Sequence, residues 1–380
     1  MTTAVLLVLA LGCLATGALP GADALALLVR AAPVLGFVTA IVVVAELARG
    51  AGLLDVIGHR LAVLARGRTL VLFGSTVVLA VVSTAFFSLD TTAVILTPVV
   101  VLLARRLGLR AVPFALITLW LANTASLILP ISNLTNLLAR DVIGGGTASF
   151  LAVSWAPSVV AILVPVAVIV LLYRGDLRGR YRIPAAPEVS DRVMLLLAAV
   201  VVLALLPLLA LVPRVWIPAT AAALVLLGAA AVRRRDLVSV RLVPGKPLLI
   251  AGALFVLAAT IHARGGDSAL LAAAHGGDGA GGLLRISSVA ALTANSIDNL
   301  PAFLLLESAP TPDPASLMAV LIGANAGAIV TPWASLATLL WHQQATAAGA
   351  RIPWRDVVLR GFVVAVVTVP TATLALALVV

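Results

Sequence analysis

The sequence predicts an all-α integral membrane protein: about nine spans arranged as an inverted repeat, with two re-entrant hairpins and two discontinuous helices. Hydrophobic residues make up 62% of the 380 and charged ones only 11%, at a mean hydropathy of +1.20, whereas water-soluble domains are about half apolar. Apolar runs near the roughly 20 residues needed to cross a bilayer recur from end to end. In addition, one unusual pair of polar-interrupted motifs occurs twice.

The runs that qualify or nearly qualify as spans are 3–19, 28–48, 113–140, 149–173, 192–212, 216–232, 247–263, 315–343 and 357–380. The first lacks the basic start and polar cleavage region of a signal peptide and is read as a retained span. Two further stretches, 69–107 and 283–308, carry polar breaks at 88–92 and 295–301 and are read as hairpins that enter and leave by the same face. Between spans, Leu53 to Arg66 reads as a short amphipathic helix at the interface.

The net charge of +10 does not point to nucleic acid, because the arginines lie between apolar runs. With the two broken stretches treated as re-entrant, 20 of the 25 Lys and Arg fall on one side, in 49–68, 105–110, 174–192, 233–246 and 351–360. Arg30, Arg140, Arg214, Arg264 and Arg285 fall on the other, along with Asp267, Asp278, Glu307 and Asp313. The positive-inside rule then puts the N-terminus in the cytoplasm and the C-terminus outside, in the inner (cytoplasmic) membrane.

The repeated motif pair is SLDTTAVILTP (Ser88 to Pro98) with LANTASLILPISNLTNLL (Leu121 to Leu138), echoed by NSIDNLPAF (Asn295 to Phe303) with GANAGAIVTPWASLATLL (Gly323 to Leu340). Aligned without gaps, Asn123 falls on Asn325, Pro130 on Pro332 and Leu134 on Leu336, while Ser88 and Asp90 fall on Ser296 and Asp298. Five spans, from 113–140 to 247–263, separate the two hairpins, an odd number, so the copies run in opposite directions. The expected organisation is a first repeat at 1–173 with hairpin 69–107 and broken span 113–140. A cytoplasmic linker follows at 174–191, then a second repeat at 192–380 with hairpin 283–308 and broken span 315–343. The span at 192–212 has no partner in the first half, as expected either if that span was lost or if the chain begins late.

Irregular backbone at membrane depth persists only where it is buried in protein or lines a cavity. Four such stretches occur, two at the hairpin tips and two around Pro130 and Pro332. Proline withholds an amide and disfavours helix in the residue before it, which frees carbonyls and half-helix termini to face a solute. Asp90 and Asp298 are the sharpest candidates, since a carboxylate in hydrocarbon costs about 2.5–3.5 kcal/mol on insertion scales. Either one is expected to carry a coupling ion or proton, or else to cap its hairpin tip. The candidate substrate- and ion-binding set is Asp90, Thr91, Asn123, Ser126, Ser132, Asn133, Asn136, Asn295, Asp298, Asn299, Asn325, Thr331, Ser335 and Thr338. The alternative for the amides and hydroxyls is capping or helix-to-helix hydrogen bonding.

Trp120, Trp155, Trp216 and Trp354 read as interfacial anchors. His59, His262, His275 and His342 show no metal-ligand spacing, and Cys13 is the sole cysteine, so neither a metal site nor any cofactor is expected. The glycine-rich run at 276–282 follows no strand and reads as an external loop rather than a phosphate cradle. The chain contains no nucleophile elbow or P-loop.

DTTAVILTP, NTASLILPISNLTN, DNLP and TPWASLATLLW together resemble the arsenite efflux permeases (ArsB type) of the ion transporter superfamily, over essentially the whole chain. The resemblance implies an inverted-repeat transporter with hairpin tips meeting near the midplane and elevator-like motion of one subdomain. It also implies a family first span that this chain lacks. Where this chain has Asn123, Asn325, Ile329, Leu89-Asp90 and Asp298-Asn299, family members commonly have Asp, Asp, Lys, Asn-Asp and Asn-Asn.

The expected function is proton-coupled efflux of neutral arsenite- or antimonite-type oxyacids, with Asp90 or Asp298 carrying the proton. Partners are then the small solute, protons or sodium, the bilayer and, in one variant, a cytoplasmic ATPase subunit. A sodium/proton antiporter is the runner-up, and a dicarboxylate symporter fits less well because two acids repel a dianion. An intramembrane aspartyl protease built on Asp90 and Asp298 is the remote alternative, and it lacks the GxGD context.

Overall fold

The computed structural model describes residues 2–143, 146–183, 185–212, 214–266, 268–274, 279–307 and 313–380. Asp267, His275, Asp278 and the first half of the glycine-rich run lie outside the described residues. Among those described, the regular structure is helical, apart from one isolated bridge between Arg68 and Arg180.

The chain opens with α1 (Thr2–Ala15), α2 (Gly21–Gly50) and α3 (Leu53–Leu64). α4 (Thr69–Phe87) turns back at Ser88 into α5 (Leu89–Thr91), a π-helical turn and α6 (Thr97–Arg106). The first broken span is α7 (Ala111–Thr124) plus α8 (Leu134–Ile143), followed by α9 (Gly146–Leu172) and α10 (Arg174–Leu177). After the linker come α11 (Arg192–Leu211), α12 (Trp216–Arg233), α13 (Gly245–Ala263) and α14 (Ser268–Ala274). α15 (Gly279–Ile297) and α16 (Asn299–Leu306) form the second hairpin, and α17 (Pro314–Leu321) with α18 (Leu336–Ala347) the second broken span. α19 (Trp354–Ala377) is the last helix.

Seven of the described helices are long and apolar enough to cross a membrane: α2, α4, α9, α11, α12, α13 and α19. The sequence reading differs at the edges. The run predicted at 3–19 stops at Ala15, because Gly17 takes a left-handed φ of 69° and Pro20 follows. The breaks predicted at 88–92 and 295–301 shrink to single residues, Ser88 and Asp298, so the second arm of the first hairpin restarts at Leu89, inside the predicted break.

The helices gather into two bodies. α2, α11 and α12 share one buried cluster, and α1 and α13 lie against this group; it is the outer body. Hairpins, broken spans, α9 and α19 make the hairpin body, whose two larger clusters each join residues of both halves, as where Trp341 packs with the first half's core and Phe150 with the second's. α9 and α19 lie alongside one another as its spine. Val94, Leu336 and Leu340 of the hairpin body bury themselves in the outer body's cluster, so the seam between the bodies is apolar there.

The arginine-rich segments gather on one face. Arg106 pairs with Asp55 at 3.0 Å, and Arg110 with Asp176 at 3.2 Å. The Arg105 guanidinium donates to the Ala348 carbonyl at 2.8 Å, and Arg233 grips Asp191 through two bonds of 3.0 and 3.1 Å. Tyr181 of the linker donates its hydroxyl to Ala62 O and its amide to Gly67 O, at 2.9 and 3.0 Å. Thr69, which starts the first hairpin, donates its amide to Gly179 O at 3.2 Å. Both ends of that hairpin therefore sit beside α3 and the linker. Elsewhere Arg264 donates to the carbonyls of Gly17 and Ala18, tying α13 to the end of α1.

Candidate functional site

Each hairpin turns on one residue held in the left-handed half of φ. Ser88 sits at φ 87°, ψ 160° and Asp298 at φ 92°, ψ 153°. The matching backbone pairs Ser88 with Asp298, correcting the ungapped alignment that put Asp90 on Asp298. Positive φ is uncommon for a residue with a side chain, and in both cases that side chain caps the helix that follows. Ser88 Oγ accepts the Thr91 amide at 3.4 Å, and Asp298 Oδ1 accepts the Leu300 amide at 3.1 Å. Thr92 secures the first tip, its Oγ1 lying 2.8 Å from Ser83 Oγ and 3.0 Å from Thr84 Oγ1. Beyond it the helix widens into a π turn over Thr92–Leu96. Pro98 explains this, since it has no amide to return to Val94 O.

Asp90 is placed differently from Asp298. It sits inside the first turn after the tip, half-buried, and makes no hydrogen bond or ion pair among the described residues.

In the broken spans, Leu129 is extended ahead of Pro130 at φ −126°, ψ 150°, as the proline ring demands. Asn133 and Ser335 then start α8 and α18 from nearly identical extended geometry, φ −152°, ψ 146° and φ −150°, ψ 149°. The amides form a knot between the halves. Asn325 Oδ1 accepts from Asn133 Nδ2 and Thr135 Oγ1, each at 3.0 Å, and Asn325 Nδ2 donates to Asn136 Oδ1 at 2.8 Å. Asn136 Nδ2 in turn donates to Ser126 O at 2.6 Å and Leu129 O at 3.0 Å, and Ser132 Oγ also reaches Ser126 O. Ser126 Oγ donates to Asn123 O at 2.6 Å. Asn123 Nδ2 returns to Leu119 O, while its Oδ1 is buried without a partner among the described residues.

A second staple is centred on Asn295. Its Nδ2 donates to Ala291 O and Gly327 O at 2.8 Å, and its Oδ1 accepts the amides of Val330 and Thr331 at 3.1 and 3.0 Å. Its carbonyl takes Thr331 Oγ1 at 2.6 Å and Trp333 Nε1 at 3.0 Å. Ser335 caps α18, accepting the Thr338 amide at 3.2 Å and lying 3.0 Å from Thr338 Oγ1.

A cavity of about 370 Å³ lies between the two bodies. Its hairpin-body wall brings together Ser88, Asp90, Asn133, Asp298 and Asn299. The other predicted site residues do not line it. Thr91, Asn123, Ser126, Ser132, Asn136, Asn295, Asn325, Thr331, Ser335 and Thr338 stand outside its lining and hold the tips and breaks in shape. The outer-body wall is apolar, from Pro33, Phe37, Leu209 and Phe255 among others, except for Arg214. The sequence reading placed Arg214 in a loop but gave it no part in the site. It also passed over Thr135, whose only signal was its place inside the NLTN run. Trp120 is fully buried in α7 instead of lying at an interface, because α4, α6 and α9 close around that helix. Trp155 and Trp216 are exposed, whereas Trp354 is half-buried and stacks on His342 at 4.0 Å.

A family model described as citrate transporter (CitMHS) matches residues 1–316. The chain belongs to the citrate transporter family. As a member it is a membrane transporter and not an enzyme. Curated relatives carry the name arsenical pump membrane protein. One from Escherichia coli is 27% identical over 318 residues, covering 76% of this chain and 72% of its own length. One from Yersinia enterocolitica is 26% identical over 322 residues with the same coverage. Among solved structures, the YdaH transporter of Alcanivorax borkumensis superposes with a TM-score of 0.50 at 17% identity, over 97% of this chain and 88% of that one. This likeness places the citrate transporter family member within a known membrane transporter fold.

Proposed function

We propose that this transporter exports small uncharged hydroxy-acids of trivalent arsenic and antimony across the inner membrane in exchange for protons, with Asp90 as the proton carrier. The observation that carries the reading is the cavity's hairpin-body wall, where a carboxylate without a partner among the described residues stands beside amides and a hydroxyl. A carboxylate left unpaired at membrane depth is costly unless it has a task, and cycling a proton is a task that suits it. Amides both donate and accept, which matches a neutral solute bearing hydroxyls. The relatives named arsenical pump membrane protein support the solute. Citrate, which gives the family its name, brings up to three negative charges to a wall holding two acids, so it suits this cavity less.

In this reading the halves are inverted repeats and the hairpins re-entrant, supported by the matching backbone at Ser88 and Asp298 and by the two ends of the first hairpin lying together. The arginine-rich face is cytoplasmic, with the N-terminus on that side and the C-terminus outside. Transport is driven by the proton gradient alone. Everted membrane vesicles test this directly. Arsenite and antimonite should accumulate when the interior is acid, and accumulation should collapse when the gradient is dissipated. Movement of sodium or citrate in place of arsenite would sink the proposal, and dependence on ATP would point to a separate ATPase subunit.

A further inference from the structure

Among the described residues, the cavity wall contributed by the outer body carries a single charged group, Arg214, in the short connection between α11 and α12. Its side chain is exposed and makes no hydrogen bond or ion pair among the described residues. Its position marks the open end of the cavity. α11 starts at Asp191, which is bound to Arg233 on the arginine-rich face, and runs for 20 residues, about 30 Å, before Arg214 is reached. Trp216, 39% exposed, opens α12 two residues later, as aromatic side chains do at a water–lipid boundary. Among the described residues, the Arg214 guanidinium is thus the one charge on an otherwise apolar wall at the cavity end away from the arginine-rich face, and the acids Asp90 and Asp298 line the hairpin-body wall.

We infer that Arg214 is a charge filter at the mouth of the solute cavity, admitting neutral and anionic solutes and holding cations away from the two carboxylates. Arginine stays ionised at every physiological pH, so the filter is permanent. Low-dielectric walls concentrate its field along the entrance, where a fixed charge changes the local concentration and entry rate of small ions by about tenfold or more. The same kind of fixed positive charge excludes cations from narrow pores. Without it, two acids facing an open mouth would collect metal cations in place of protons. The inference deepens the proposed function, since it assumes that the cavity is where the solute is held, and it assigns this residue the choice of solute charge.

The test reads access rather than transport, so the two ideas fail separately. Cys13→Ser removes the native thiol, and Ile131→Cys, on the cavity wall but outside the amide knot, supplies a reporter. Purified, reconstituted protein is labelled with a cationic trimethylammonium-ethyl methanethiosulfonate and with its anionic sulfonatoethyl counterpart, and the ratio of the two rates is measured. Arg214→Gln should raise the cationic-to-anionic ratio about tenfold, and Arg214→Lys should keep the parent ratio. In the parent with Arg214 intact, high salt should move the ratio in the same direction as Arg214→Gln by screening the guanidinium, which keeps the test open should Arg214→Gln fold poorly. A ratio indifferent to both the substitution and salt overturns the filter, and so does a reporter that neither reagent reaches. If vesicles fail to move arsenite while the labelling ratio shifts as expected, the solute assignment falls and the filter stands.

Discussion

Asp90 and Asp298 look equivalent in the sequence, two acids in two copies of one motif, yet their surroundings separate them. Both line the cavity, but Asp298 is spent on capping α16, whereas Asp90 has no partner among the described residues. Asp298→Asn should therefore fold normally and keep proton-driven transport, because asparagine caps as well as aspartate. Asp90→Asn should fold equally well but lose the response to an imposed pH gradient, measured as arsenite accumulation in everted vesicles at two internal pH values. If both variants respond alike, the division of roles is wrong. Asn295 makes a different kind of prediction. Truncation to alanine strands the amides of Val330 and Thr331 and the Gly327 carbonyl, each worth about 1–3 kcal/mol when left unsatisfied and buried. Its thermal midpoint in detergent should drop by several degrees or more, or the protein should fail to accumulate, whereas Ser296→Ala next door should change little. Both acids and the amides were legible as exceptional because they interrupt apolar runs. Their partners were not, since Asn133 and Asn325 meet across 192 positions and nothing local in either motif announces the other.

At the level of helices, hydropathy located every long element, but the interruptions proved tighter than their composition suggested. A polar stretch of several residues looks like a loop, whereas one residue at positive φ with a capping side chain is enough to turn the chain. The second break is fixed by close approach. A Cβ on Gly323 would lie 2.1 Å from Ser287 O and 2.6 Å from the Ala290 side chain, and one on Gly361 would lie 2.1 Å from Ile329 O. Gly323→Ala should push α15 off the π turn at Ile322–Ala326 and cut the yield of monodisperse protein several-fold by size-exclusion chromatography. Gly228→Ala in α12, with open space around it, should instead leave stability unchanged or raise it by up to about 1 kcal/mol through helix propensity. Equal behaviour of the two would refute the packing account. Trp120 shows the limit of reading a helix alone: a tryptophan near a span end looks like an anchor until neighbouring helices are seen to enclose it.

For the whole molecule, charge distribution did more than any motif. Segments far apart in the chain were sorted to one side by their arginines, and in the structure four of the five are linked through Arg106, Arg110, Arg233 and Tyr181, the longest of these contacts spanning 119 positions. In a Cys13→Ser background, a cysteine at Arg180 and one at Arg264 should react with an impermeant maleimide from opposite faces, Arg180 only in everted vesicles and Arg264 only in right-side-out ones. Reaction from the same face would overturn the orientation. Hydropathy did not disclose the division into two bodies, which only the family resemblance implied, because lipid-facing and seam-facing surfaces are equally apolar. The division gives the knot at Asn325 a further meaning. Asn325, Asn133, Thr135 and Asn136 lash the two broken spans to each other, while Val94, Leu336 and Leu340 meet the outer body through greasy contact alone. A solute cradled by the tips would ride with them as cargo in one carriage, and the slippery side of that carriage would be the track for any such shift.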